Sequence, residues 1–476
     1  MTPAQTAMIG ALAGTLDAKA ILTDAADIEP WLIDWRRRFH GAAPAILSPT
    51  STDQVAAIMQ AASAHRVPLV AQGGNSSMVG GATPPGDGEA LILSLRRMNR
   101  IRRLDAEANL AVCEAGVILA DLHAAAIEAG RRFPLSLGAK GNASIGGLVS
   151  TNAGGTQVLR FGSMRGLVAG VEAVLTNGEV YDGLAALKKD NRGYDLDQLL
   201  IGAEGTLAIV TAATLRLVAL PPATVTAWAA TDDPEHALRL LRRLQTATDA
   251  TESFEILPAE TLAAALAYLP DVRPPVAGRQ RWHLLIEVTD ADTALLERVL
   301  AAALDDGLIG DATIAASEAQ AHSFWRLRES LSDAERATGP ATQHDLSVPV
   351  EAMPRFMVEA AAACDARFPG TRASGFGHLG DGNIHFHVRG PRDANRERWL
   401  ADHAAAITHF VDDLVTAAGG SIAAEHGIGQ MKIDELARLA SPAKLTAMRA
   451  IKAAMDPLGL LNPGKLVALA SPPANQ

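Results

Sequence analysis

The sequence predicts an α+β chain of more than one domain. The 476 residues exceed one ordinary domain. Short apolar runs of strand length alternate with helical stretches. Glycine loops crowd the two ends of the chain, and the texture changes at Pro221-Pro222. The expected parts are a helical N-terminal segment over 1–43, a first domain over 44–222, and an α/β second domain with an antiparallel sheet over 223–420. A helical C-terminal segment over 421–476 should return to the first domain.

Residues 45–47 read as a strand. Ser51 and Gln54 make a capping box for the helix that follows, and Val55, Ile58, Met59 and Ala62 recur at helical spacing. Residues 67–70 form a strand that runs into a glycine loop. Strands follow at 91–95 and 109–114, then a helix through Leu119, Leu122 and Ile127. Residues 134–166 are rich in Gly, Ala, Ser, Thr and Asn and offer little for a core. Strands at 170–176 and 179–182 flank Asn177-Gly178, a hairpin signal, and 199–201 with 207–217 close the region. Beyond Pro222, strands at 225–230 and 282–288 alternate with helices at 235–246 and 292–305. A helix over 403–418 ends at Gly419-Gly420. The last helix is capped by Ser441, carries Pro442 in its first turn and reaches Met455.

The net charge of −11, with both signs interspersed, argues against nucleic acid, which needs a basic face. An anionic substrate would need local positive charge against this field. Two distant cysteines, Cys113 and Cys364, exclude a disulfide framework and a Cys-ligated metal, and suit a reducing compartment. No apolar run is long enough to span a membrane. Residues 1–22 read as a helix rather than a signal peptide, so a cytoplasmic location is expected.

Gln72-Gly73-Gly74-Asn75-Ser76-Ser77-Met78-Val79-Gly80-Gly81 follows a strand. Free N–H groups in such a loop make an anion nest suited to a pyrophosphate. A second stretch contains Gly138, Ala139, Ser144, Ile145, Gly146 and Gly147, then Thr151, Asn152, Gly154 and Gly155. Its sparse apolar content suggests order imposed by a cofactor, with Thr151 and Asn152 bonding ring or ribose oxygens. Gly375-Phe376-Gly377-His378-Leu379-Gly380 fits a dinucleotide fingerprint by letter only. A strand, not a helix, is expected to follow it.

These loops, followed in order by Lys189-Asp190-Asn191-Arg192-Gly193-Tyr194-Asp195-Leu196 and Gly202-Ala203-Glu204-Gly205-Thr206-Leu207, resemble the FAD-binding vanillyl-alcohol oxidase (PCMH-type) superfamily. Within it they resemble the D-2-hydroxyglutarate and D-lactate dehydrogenase branch. The resemblance runs from about Pro44 to Lys465. It implies a two-part PCMH-type FAD domain, a substrate (cap) domain and FAD held without a covalent link. It also implies cofactor contacts from Glu204, Gly205, Ile209 and Asn462.

Four histidines fall in two short motifs. Gly377-His378 leads through Asp381 to His385-Phe386-His387, and Glu425-His426-Gly427 follows later. On a strand, His385 and His387 share one face while Ile384 and Phe386 take the other. Two imidazoles and a carboxylate are a common divalent-metal set; hydrogen-bonding histidines in a polar cleft are the alternative. The resemblance implies a metal, zinc or manganese, at His378, His385 and Glu425, with His426 as the active-site histidine. It also places Arg328 on a substrate carboxylate and Ser332 where the family has threonine. Gln343 stands where a lysine is expected and His387 where asparagine is expected, which weakens the case for a second substrate carboxylate.

The implied activity is FAD-dependent oxidation of a small D-2-hydroxy acid, with D-2-hydroxyglutarate leading and D-lactate or glycolate as alternatives. A metal-dependent hydrolase would leave residues 138–155 unexplained. A flavoprotein with other chemistry would not need the metal set. Electron-transfer flavoprotein and quinone are both compatible acceptors, as is a homodimeric assembly.

Overall fold

The computed structural model describes residues 1–289 and 293–467. The chain is α+β and forms two compact units. One comprises Met1–Gly155, Gly162–Leu220 and Glu425–Gln476; the other comprises Thr156–Phe161 and Pro221–Ala424. Among the described residues, no helix is long and apolar enough to cross a membrane.

The first unit holds two main sheets. In one, Ile46–Leu47, Leu91–Ser94 and Leu69–Gln72 run parallel, with Ile21–Leu22 antiparallel at the edge. The helix Thr52–His65 covers it, burying Val55, Ile58, Met59 and Ala62 as its spacing predicts. Its capping box is half made. Ser51 Oγ accepts from Gln54 N, but Gln54 Oε1 accepts from Thr50 N instead of closing on Ser51. The other sheet is antiparallel, in the order Ile101–Asp105, Leu110–Glu114, Ile209–Arg216, Val168–Val174, Val180–Asp182. Asn177-Gly178 turns its hairpin with Gly178 at φ +84°. The N-terminal segment is helical over Pro3–Ala11 but becomes a strand at Ile21–Leu22. Residues 196–200 are helical.

The stretch 134–166 departs from expectation. It holds three short helices, Ile145–Thr151, Val158–Phe161 and Met164–Leu167, between irregular segments. Ile145, Leu148, Val149, Met164 and Leu167 are buried. The first helix packs against the strand Ile209–Arg216 and the second against Thr251–Pro258, so few large side chains suffice.

The second unit is built on a seven-stranded sheet. Its order is Asp311–Ile314, Thr224–Thr231, Trp282–Thr289, Thr251–Pro258, Arg372–His378, Asn383–Arg389, Ala341–Ser347, and every assigned pairing is antiparallel. The helix Glu318–Ala337 lays Phe324, Leu327, Leu331 and Ala334 against Trp228, Leu257, Leu285 and Phe376. The helix expected from 292 is described over Thr293–Asp305; Asp292 lies outside the described residues. The helix expected from 403 begins earlier, as Arg396–Ala417, with Asn395 as its cap.

Candidate functional site: a glycine cradle and a carboxylate-braced polar face

In the first unit the glycine stretches meet each other. A Cβ on Gly74 would lie 1.8 Å from Asn142 O, and one on Gly73 would lie 2.0 Å from Ser144 Oγ. Gly146 and Gly155 are also tight, at 2.6 Å from Ala115 Cβ and 2.2 Å from Ser136 O. At Gly74, Gly146 and Gly155 the facing backbone leaves no room for a side chain, so the stretches lie backbone against backbone. Ser144 Oγ, Gln72 Oε1 and Asn462 Oδ1 are buried and find no hydrogen-bond partner among the described residues. Buried polar atoms seldom go unpaired, so a ligand rich in hydrogen-bonding groups fits here. Asn75, Gly80, Asn152, Glu204, Gly205 and Asn462 all adopt positive φ, which strains the non-glycine members.

Other expected cofactor residues are partly committed elsewhere. Thr151 Oγ1 donates to Gly147 O within its helix. Asn152 Oδ1 accepts from Ser163 Oγ and Arg165 N. Ser77 Oγ accepts from Gly81 N. Ile209 is buried in the apolar core beside the parallel sheet. Gly138 is exposed, and Ala139 O anchors its loop by accepting from Ala143 N. Glu204 is buried, and both carboxylate oxygens accept backbone N–H groups, from Ile428 at 2.8 Å and Gly429 at 2.7 Å. Burial pushes its pKa up, against those two bonds. Glu425 and His426, both half-buried, belong to this unit, just before that contact.

In the second unit the strand register makes one polar sheet face. His378 pairs with Asn383, Phe376 with His385, and Ser374 with His387; across the next ladder Gln343 pairs with His387 and Asp345 with His385. Ile384, Phe386 and Val388 take the opposite face and are buried. The predicted sharing of a face by His385 and His387 holds. The fingerprint-like glycines lie within and just beyond the strand Arg372–His378, with no helix following, so a dinucleotide fingerprint is excluded.

Ring nitrogens of His378 and His385 come within 4.8 Å, with the rings edge to face at 5.5 Å. Two carboxylates back them. His378 Nδ1 bonds Glu255 Oε1 at 2.6 Å, and His385 Nδ1 lies 3.9 Å from Asp345 Oδ1. A carboxylate on the far nitrogen is the usual support for a metal-ligating imidazole; His378 has one, and His385 lies beside another at ion-pair distance, an arrangement that fits two ligands of one ion.

Arg328 is 8% exposed and donates from Nε to Glu255 Oε2 at 2.6 Å. Its Nη2 lies 3.4 Å from His378 Nε2, and its guanidinium sits over Phe376. Glu255 therefore braces Arg328 and His378 together. Burial would push its carboxyl up, but Arg328 and His378 outweigh burial and hold it below the usual range.

A second bracing carboxylate, Glu335, is fully buried. It bonds His387 Nδ1, accepts from Thr261 Oγ1 at 2.7 Å and lies 3.8 Å from Arg389. Burial pushes its pKa up, yet His387 and Arg389 bring it below normal. Gln343 Nε2 is 3.4 Å from His387 Nε2. Arg328, Ser332 and Glu335 share a face of their helix, four and three residues apart, and Ser332 is half-buried.

Sequence reasoning missed Glu255, Glu335 and Asp345. Two of them left a signal: Glu255 interrupts the apolar run of 254–257, and Glu335 falls at helical spacing from Arg328 and Ser332.

The comparisons agree with this architecture. Residues 43–183 match the FAD binding domain model, and 220–466 match the model for the C-terminal domain of FAD linked oxidases. D-2-hydroxyglutarate dehydrogenase of Arabidopsis thaliana (mitochondrial) is 36% identical over 457 residues, 95% of this chain and 80% of that protein. The enzyme of that name from Stutzerimonas stutzeri is 34% identical over 465 residues, 97% of this chain and 99% of that protein. That from Xanthomonas citri is 36% identical over 464 residues, 96% of each. Among solved structures, p-cresol methylhydroxylase with substrate bound superposes with TM-score 0.76 over 98% of this chain and 97% of that chain. Alkyldihydroxyacetonephosphate synthase gives 0.72, over 98% and 86%. At 17% and 16% identity these two show the fold alone: the PCMH-type fold of the vanillyl-alcohol oxidase group. A glycine cradle for FAD, a helix-covered polar sheet face and two matching domain models identify the chain as a member of the FAD-linked oxidase family, an FAD oxidoreductase.

Proposed function

We propose that the chain is an FAD-dependent D-2-hydroxyacid dehydrogenase with D-2-hydroxyglutarate as its leading substrate. The observation that carries this reading is the Glu255-braced pair of Arg328 and His378, beside His385, in a chain whose relatives bear that name. When bound, FAD accepts the substrate hydride and a divalent ion, zinc or manganese, acidifies the substrate hydroxyl. His378 and His385 are the nitrogen ligands in this reading, and the sequence motif supplies Glu425 as the oxygen ligand. Arg328, held at Nε by Glu255 and with Nη2 beside His378, turns its remaining terminal N–H groups to the substrate's 1-carboxylate in this reading. Ser332, one turn along, adds a hydroxyl. His426 takes the hydroxyl proton.

The distal end of the substrate falls to Gln343 and His387. Neither is a lysine, which supports D-lactate or glycolate as the second reading. The free buried thiols of Cys113 and Cys364 support a reducing compartment. Electron-transfer flavoprotein or a quinone would reoxidise the flavin.

Anaerobic addition of D- and L-2-hydroxy acids to the yellow enzyme tests the reading. D-2-hydroxyglutarate should bleach the flavin fastest. Bleaching by none of the acids would sink the proposal, and bleaching by lactate alone would select the second reading. His385→Ala should keep its flavin spectrum and lose about a hundredfold or more in turnover. Full activity in that variant would remove the metal.

A further inference from the structure

The loop that carries His426 has no regular structure around it. Residues 425–430 precede the short helix Ile433–Leu439, and Gly427 and Gly429 adopt φ of +77° and +53°. A general base must nevertheless be held to within a fraction of an ångström. The question is what holds it.

Glu204 meets that need. Its two carboxylate oxygens take the N–H groups of Ile428 and Gly429, the second and third residues after His426. A Cβ on Gly427 would lie 2.7 Å from Glu204 Oε1, so the loop is pressed directly onto the carboxylate. The clamp is itself anchored on both backbone sides. Glu204 N donates to Ser150 O at 2.7 Å, and Glu204 O accepts from Asn462 Nδ2 at 2.7 Å. Glu204 holds a positive φ of 51°, a strain that such anchoring sustains. Val79 O and Gly80 O bind the following residue, Gln430, through its N–H and its side-chain amide. Lys432 and Lys465 supply the nearby positive charge.

The chemistry requires a carboxylate. Two neighbouring N–H donors need two acceptor oxygens, whereas glutamine would turn an NH2 group toward one of them. A shorter aspartate would not reach both.

We infer that Glu204, in the stretch Gly202-Ala203-Glu204-Gly205-Thr206-Leu207, is the positioning residue for His426: it clamps the base-bearing loop through Ile428 and Gly429 rather than serving chiefly as a flavin contact. This rests on the proposed role of His426 as the base.

The test uses the FAD-loaded enzyme and a double-mutant cycle. Glu204→Gln should keep its bound flavin and lower kcat about 10- to 100-fold, with KM moving less than about threefold. In a His426→Ala background the same change should cost nothing further, because the group it positions is gone. Loss of flavin in Glu204→Gln, an unchanged kcat, or an equal loss in both backgrounds would overturn the inference. Full turnover in His426→Ala alone would overturn the base assignment. The clamp is then judged separately, by amide hydrogen exchange at Ile428 and Gly429. Those amides should exchange slowly in the native enzyme and much faster in Glu204→Gln; no difference overturns the clamp. If the variant does not fold, native exchange decides: rates matching an open loop overturn it.

Discussion

In the FAD-binding unit the site is made of backbone: at Gly73, Gly74, Gly146 and Gly155 even a methyl group would collide with a facing chain. In the second unit it is made of side chains: Arg328, His378 and His387 each hang on a buried glutamate. The first arrangement is cheap to hold, since it adds few charges to the interior. The second concentrates buried charge, whose desolvation must be offset partner by partner. A fault in the cradle should therefore stay local, whereas a fault in the network should spread.

The sharpest way to break this contrast is Glu255→Ala. It leaves Arg328 buried without its counter-ion, a loss of about 3–5 kcal/mol. Chemical denaturation should show that loss, and Glu255→Ala/Arg328→Met should recover part of it without recovering turnover. A loss under about 1 kcal/mol would mean that water reaches the network freely and that the two sites do not differ as described.

Acid offers a second comparison. His283 sits in the second unit, where its Nδ1 accepts from Trp228 Nε1, and burial lowers its pKa to about 4. The unfolded chain then binds the proton that the folded chain refuses. The stability of this unit should be intact above about pH 6.5 and fall progressively toward pH 4, by on the order of 3 kcal/mol. His283→Asn, which keeps an acceptor and removes the titration, should flatten the dependence of the thermal midpoint between those limits. An unchanged slope would remove His283 as the cause.

The smallest expected effect belongs to the cradle. Gly74→Ala should cost about 1–3 kcal/mol of overpacking, read as FAD affinity about 10- to 100-fold weaker. The second unit should keep its near-ultraviolet circular dichroism. Loss of that signal too would show that the fault is not local.

Much of this was legible in the residues. The helix over 52–65, the hairpin at Asn177-Gly178 and the shared face of His385 and His387 follow from periodicity and turn chemistry, which are local. The stretch 134–166 reads as loop because its small residues carry little apolar content, whereas its short helices are fixed by strands distant in sequence.

What the sequence by itself determined was the order of the glycine motifs and the family, because both rest on neighbours in the chain. What only the tertiary structure decided was who braces whom. Glu255 lies 123 residues from His378, and Glu204 lies 224 from Ile428. The two glutamates reach their partners through strand register in one case and loop convergence in the other. No local pattern encodes either, since a buried carboxylate is stable only where distant donors arrive to bind it.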